Sequence, residues 1–117
     1  MEKNEELFFV AADDMTPKQI LEDAIKVLER DGWHQGSLTA GNAEQGGAVC
    51  AWGAMGRAAT GNAYCYNENV VEAADLLAHS LNLEGLPTSA IFTWNDAKER
   101  SKEDVILAMK KAAHGEV

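Results

Sequence analysis

Cysteine, histidine and aspartate are the residue types here that together could carry covalent chemistry, and the 117-residue chain holds few of them in useful positions. Cys50 comes first. It stands where a helix is expected to begin, and the amide dipoles of a helix N-terminus depress a thiol's pKa and make it nucleophilic. His34 or His79 would then act as base, with Asp96 as the carboxylate that orients it. Against that reading, Val49, Ala51 and Trp52 flank the thiol, the surroundings of an inert buried cysteine. No local cysteine-enzyme pattern surrounds it. Cys50 reads first as a packing residue, and catalysis by Cys50, His34 and Asp96 is the alternative.

Other site chemistries find less. His34, Cys50, Cys65 and His79 are of ligating types, but the close paired spacings of structural zinc sites are missing, so no metal is expected. The glycines of Gly32-Trp33-His34-Gln35-Gly36 and of Gly46-Gly47 lack both the Walker ending and a strand feeding a GxGxxG turn. They read as turns and helix caps, and no cofactor is expected. Glu22, Asp23, Glu29 and Asp31 fall mostly on the polar face of a surface helix, the ordinary solvated arrangement.

Trp94-Asn95-Asp96 has two readings. A tryptophan beside an amide and a carboxylate suits a small ligand or a peptide. Alternatively, Trp94 anchors the core while Asn95 and Asp96 bond backbone groups in the turn that follows. Arg57, the only charged residue of its expected helix, needs a carboxylate if buried, and Asp96 is the candidate partner.

The elements that must position these residues are helical. Thr16-Pro17-Lys18-Gln19 carries a cap, a first-turn proline and a capping-box glutamine. Ile20, Leu21, Ala24, Ile25 and Leu28 then make one apolar stripe, so a helix is predicted over 17–31, closed by Gly32. From Trp33 to Gly47 the periodicity dissolves into a loop. A second helix over 49–60 alternates Ala51, Ala54, Ala58 and Ala59 with Gly53 and Gly56. Each glycine costs a helix interior about 1 kcal/mol relative to alanine. Another helix crossing closely would repay that, which makes this the central helix. Asn67 caps a third helix over 68–82, with Val70, Val71, Ala74, Leu77, Ala78 and Leu81 inward. Ser89 to Asn95 is a short helical turn. Ser101 caps the last helix, whose acidic first turn and basic last turn complement its dipole.

The expected fold is therefore all-α: a compact bundle of four main helices plus the helical turn, over residues 16–115, preceded by an N-terminal arm over 1–15. Leu7-Phe8-Phe9-Val10 belongs to the arm, because no second strand is evident. An apolar share of 46% supplies one core without disulfides. The opening Met1 to Glu6 lacks an export pattern, and the Leu7–Ala12 stretch is far short of the roughly 20 residues of a membrane span. A cytoplasmic protein with reduced thiols is expected. The formal net charge of −9 disfavours direct nucleic-acid binding.

Gly32-Trp33, Cys50-Ala51-x-Gly53-Ala54, Trp94-Asn95-Asp96 and the Ser-x-x-Asp-Val opening of the last helix (Ser101, Asp104, Val105) occur in that order. Over about Ile20 to Ala113 the chain thereby resembles a family of small proteins of unknown function from actinobacteria and their bacteriophages. The resemblance implies a phage or bacterial cytoplasmic protein and supplies no activity, substrate or cofactor. Trp52 stands where it leads one to expect a smaller aliphatic residue. The structural signature is Trp33, Cys50, Gly53, Arg57, Trp94, Asn95 and Asp96. The expected function is a non-catalytic interaction or host-modulating module that binds a host protein or a second copy of itself, with no membrane contact. A charge mimic of nucleic acid is a variant. A cysteine-dependent enzyme or small-ligand binder is the alternative.

Overall fold

In the computed structural model, residues 7–11, 15–40 and 47–115 are described. Parts of the expected arm (1–6 and 12–14), part of the expected loop (41–46, with Gly46) and the last two residues lie outside them.

Helix α1 runs Pro17–Asp31, with both halves of the Thr16–Gln19 capping box formed and Gly32 closing it at φ 99°. It buries the expected stripe and Val27 as well. Helix α2 spans Ala51–Thr60. It starts later than predicted because Val49 is taken up by bridges to Trp33 and Thr39, which tie the loop after α1 to the approach to α2. Cys50 becomes the cap, its Sγ accepting from the Gly53 amide at 3.4 Å. Asn67 caps α3, Glu68–Ser80, through its side-chain oxygen. Ala73 occupies the buried face of α3, while Val71, expected inside, is exposed.

Two expectations need correcting. Ser89–Asn95 is the body of a full helix, α4, spanning Pro87–Asn95, so the chain has five helices among the described residues rather than four. Pro87 opens α4 at its first turn, where a fixed φ and a missing N–H do no harm. The second concerns the N-terminus. Phe8–Phe9 forms a short strand, β1, paired in parallel with β2, Cys65–Tyr66. Phe8 N–H donates to Tyr64 O and Val10 N–H to Tyr66 O, each at 2.8 Å. The fold is mostly helical and not strictly all-α. Helix α5, Lys102–Ala113, begins at the Ser101–Asp104 capping box.

Helix α2 is the most buried of the helices and contacts α1, α3, α4 and β2. It is buried continuously from Ala51 to Arg57. Its glycines are explained by the backbone of a loop and of β2, not by a crossing helix. A Cβ on Gly53 would sit 2.6 Å from Leu38 O, and one on Gly56 would sit 2.6 Å from Cys65 O. No helix among the described residues is long and apolar enough to cross a membrane.

Candidate functional site

The signature residues converge in part. Asn95, fully buried at the end of α4, is the hub. Its Oδ1 accepts from Trp33 Nε1 at 2.7 Å and from the Ala51 amide at 2.9 Å. Its Nδ2 donates to His34 O at 3.1 Å and to Asp96 Oδ1 at 2.9 Å. One amide thus meets all four of its hydrogen-bonding directions. Gln35 Nε2 donates to Asn95 O and Ala97 O, and the Gly36 amide donates to Asp96 Oδ1. The corner clamps the end of α4 to the start of α2 and to the loop after α1.

The same bonds define what the catalytic candidates face. The first amide of α2 is filled by Asn95, and Cys50, 1% exposed, caps its own helix. His34 Nε2 lies 2.8 Å from Ser37 Oγ, whose hydroxyl also reaches Thr39 O. An imidazole and a hydroxyl thus lie side by side, with the hydroxyl proton directed to Thr39 O, in an aperiodic loop where sequence periodicity gives no sign of the pair. His34 Nδ1 hydrogen-bonds no group among the described residues, so nothing there orients the imidazole as a nucleophile's base requires. His79 is exposed on α3.

Arg57 does not pair with Asp96. Its Nη1 donates to Asp31 Oδ2 at 3.0 Å and to Gly47 O at 2.7 Å. Asp31 is the last residue of α1, and its side chain, 6% exposed, is turned inward to meet an Arg57 side chain 4% exposed. A second arginine, Arg30, chelates the same carboxylate at 2.6 and 2.7 Å. The Arg30 hydrogen bond is the largest cause holding the Asp31 carboxyl below its ordinary pKa; burial opposes it and Arg57 adds to it. Asp96 takes backbone and amide donors instead, the other role foreseen for it.

Trp94 also departs from expectation. It packs against the core but stays half-buried, while Trp52 is the tryptophan fully inside, its ring edge-on to Tyr66. Trp52 Nε1 is buried with no hydrogen-bond partner among the described residues. The outer face of Trp94 carries Arg100, with Cζ 4.3 Å from the ring centroid and Nε donating to Trp94 O at 2.9 Å. The stack lines two shallow grooves. One, of about 410 Å³, runs past Leu83, Leu86 and Ala90. The other, of about 240 Å³, runs past Leu81, Leu107 and Lys111. A third, between α1 and α5, continues from Leu107 to Ile106 and Lys110. Leu86 is 75% exposed and Leu107 54%. Sequence periodicity could not find the stack, because Trp94 lies in the last turn of α4 and Arg100 in the irregular turn that follows it.

Neither the curated proteins nor the solved structures give a match to this chain. A family model does, over residues 12–115, a stretch that contains every signature residue. By that match the chain belongs to the family of unknown function DUF6197.

Proposed function

We propose that the protein is a non-catalytic interaction module whose contact surface is the groove system of α4 and α5. The observation that carries this reading is the pair of leucines, Leu86 and Leu107, left exposed at grooves that share the Trp94–Arg100 stack. Scattered exposed leucines are ordinary, but apolar side chains lining neighbouring grooves mark surfaces that partners cover. The buried Asn95 corner supports the same reading: its polar groups are spent on holding α2, α4 and the loop together. The resemblance to actinobacterial and phage proteins supports a bacterial cytoplasmic setting and a host or phage protein as partner. A second copy of the chain is the competing occupant.

The test is affinity capture from bacterial lysate by the parent chain and by Leu86→Glu, Leu107→Glu and Val71→Glu, the last exposed on α3 away from the grooves. All four should melt alike. The two groove variants should lose the specifically retained protein and Val71→Glu should keep it. An identical retained set for all four, or loss with Val71→Glu alone, would move the contact elsewhere. A fast, stoichiometric reaction of the folded protein with thiol- or serine-directed acylating reagents would restore the enzyme alternative through Cys50 or through Ser37 and His34.

A further inference from the structure

The groove reading leaves open what polar group a partner brings, and Arg100 answers that. Its guanidinium is fixed from two sides, lying over the Trp94 ring and anchored through Nε to the Trp94 carbonyl. A stacked, hydrogen-bonded guanidinium has already lost most of its rotamer freedom, so less is lost when it binds. Its two Nη groups donate to nothing among the described residues. They are the half of the fork that matches a carboxylate. Lys111 lines the same groove. The one carboxylate there, Asp104, already accepts from the Ser101 amide in the cap of α5. In a chain of net charge −9, this groove therefore presents surplus positive charge, framed by Leu81 and Leu107.

We propose that, within the interaction reading above, this groove recognises a carboxylate carried between apolar side chains on a protein partner, with Arg100 as the residue that reads it. The occupant is an acidic amphipathic peptide segment: its apolar side chains cover the leucines and its carboxylate meets the Nη pair. A polyanion is a poorer fit. Glu84, Asp104, Glu29 and Glu103 also line the linked grooves and would repel a continuous run of phosphates.

A random-peptide display library, selected on the immobilised full chain, supplies the probe. Peptides with Asp or Glu beside apolar residues should be enriched. A synthetic copy of the best one should bind at least about tenfold more weakly after its carboxylate is changed to the amide, as expected for a lost charge-assisted pair. Arg100→Gln should weaken the parent peptide similarly and show no further loss with the amide peptide. Arg100→Lys, which keeps the charge but not the fork, should fall between. Circular dichroism melts check that each variant stays folded; should Arg100→Gln unfold, Arg100→Lys and the peptide amide carry the comparison. Enriched peptides without acids, or binding indifferent to Arg100 yet abolished by Leu86→Glu and Leu107→Glu, would overturn the carboxylate and keep the groove. Binding indifferent to all three positions, or no enrichment over the blank support, would overturn both.

Discussion

Cutting Asn95 back to a methyl group would leave Trp33 Nε1–H, the Ala51 amide and the His34 carbonyl without the partner that now serves all three. Each orphaned buried group costs about 1–3 kcal/mol. Asn95→Ala should therefore destabilise by about 2–4 kcal/mol in urea titrations, because more than one such group is stranded. Asp96→Ala should cost less, since Asp96 is exposed and its Gly36 contact is open to water. Equal losses would mean that Asp96, not Asn95, is the keystone. Asp31 and Arg57 make a second case. Removing Asp31 strands the buried Arg57 and should cost about 3–5 kcal/mol; removing Arg57 leaves Asp31 chelated by Arg30 and should cost less, and the double variant should cost less than the sum. A cycle between Arg57 and Asp96 should be additive. The pH dependence has a definite sign. The Asp31 carboxyl titrates lower in the folded chain than in the unfolded one, so its stabilisation is complete above the unfolded value, about 3.9. It disappears as pH falls through the folded value. Asp31→Asn should flatten the acid limb of the stability curve, and an unchanged limb would contradict the pairing. That Arg57 needs a carboxylate was legible in the sequence; which one was not. Asp31 looked like a solvated residue of an amphipathic face, and only the turn at Gly32 and the burial of the α1 terminus direct it inward.

At the scale of elements, legibility followed periodicity and capping. Helices α1, α3 and α5 announce themselves by apolar stripes and by Thr16, Asn67 and Ser101, and each begins where its cap places it. Helix α4 was undersized because Leu86 makes no side-chain cap and its nine residues are too few to display a period. Strand β2 is two residues long, its partner lies 57 positions away in the pairing Phe8 to Cys65, and no local pattern carries such a contact. The glycines of α2 signalled close approach correctly, but their neighbours are backbone carbonyls of a loop and of β2, not of a helix. Gly56→Ala makes this testable. Alanine gains about 1 kcal/mol of helix propensity, yet its Cβ would press on Cys65 O at 2.6 Å and on Ala63 O at 3.2 Å. Both are backbone, with no flexible end to move aside. Overpacking of this kind costs about 1–3 kcal/mol, so the variant should melt below the parent. A higher melting temperature would show that the β2 turn yields and that Gly56 is not needed for packing.

Across the whole molecule the dominating quantity is charge, and among the described residues most of it is outside ion pairs. Three ion pairs join described residues, and two of them share Asp31. The chain has 19 acids against 10 bases. Five of those bases, Lys98, Arg100, Lys102, Lys110 and Lys111, lie in or just before α5, which leaves the rest of the sequence with five bases. Glu68, Glu72 and Asp75 stand exposed along α3 at the helical spacings where like charges repel. The molecule measures 36 × 35 × 28 Å, while the screening length is about 30 Å at 0.01 M salt and about 10 Å at 0.1 M. At the lower concentration every carboxylate feels nearly every other, and this self-repulsion disfavours the compact state. The melting temperature at pH 7 should therefore rise as sodium chloride is raised across that range. The buried Asp31–Arg57 pair is sheltered from screening and should not reverse the trend. Glu72→Gln with Asp75→Asn should raise the melting temperature at low salt, and the gain should shrink as salt is added. Glu68 is left in place because it faces the positive end of the α3 dipole. A melting temperature that falls with salt would mean that favourable surface pairs outweigh the repulsion, and that the excess charge carries no stability penalty.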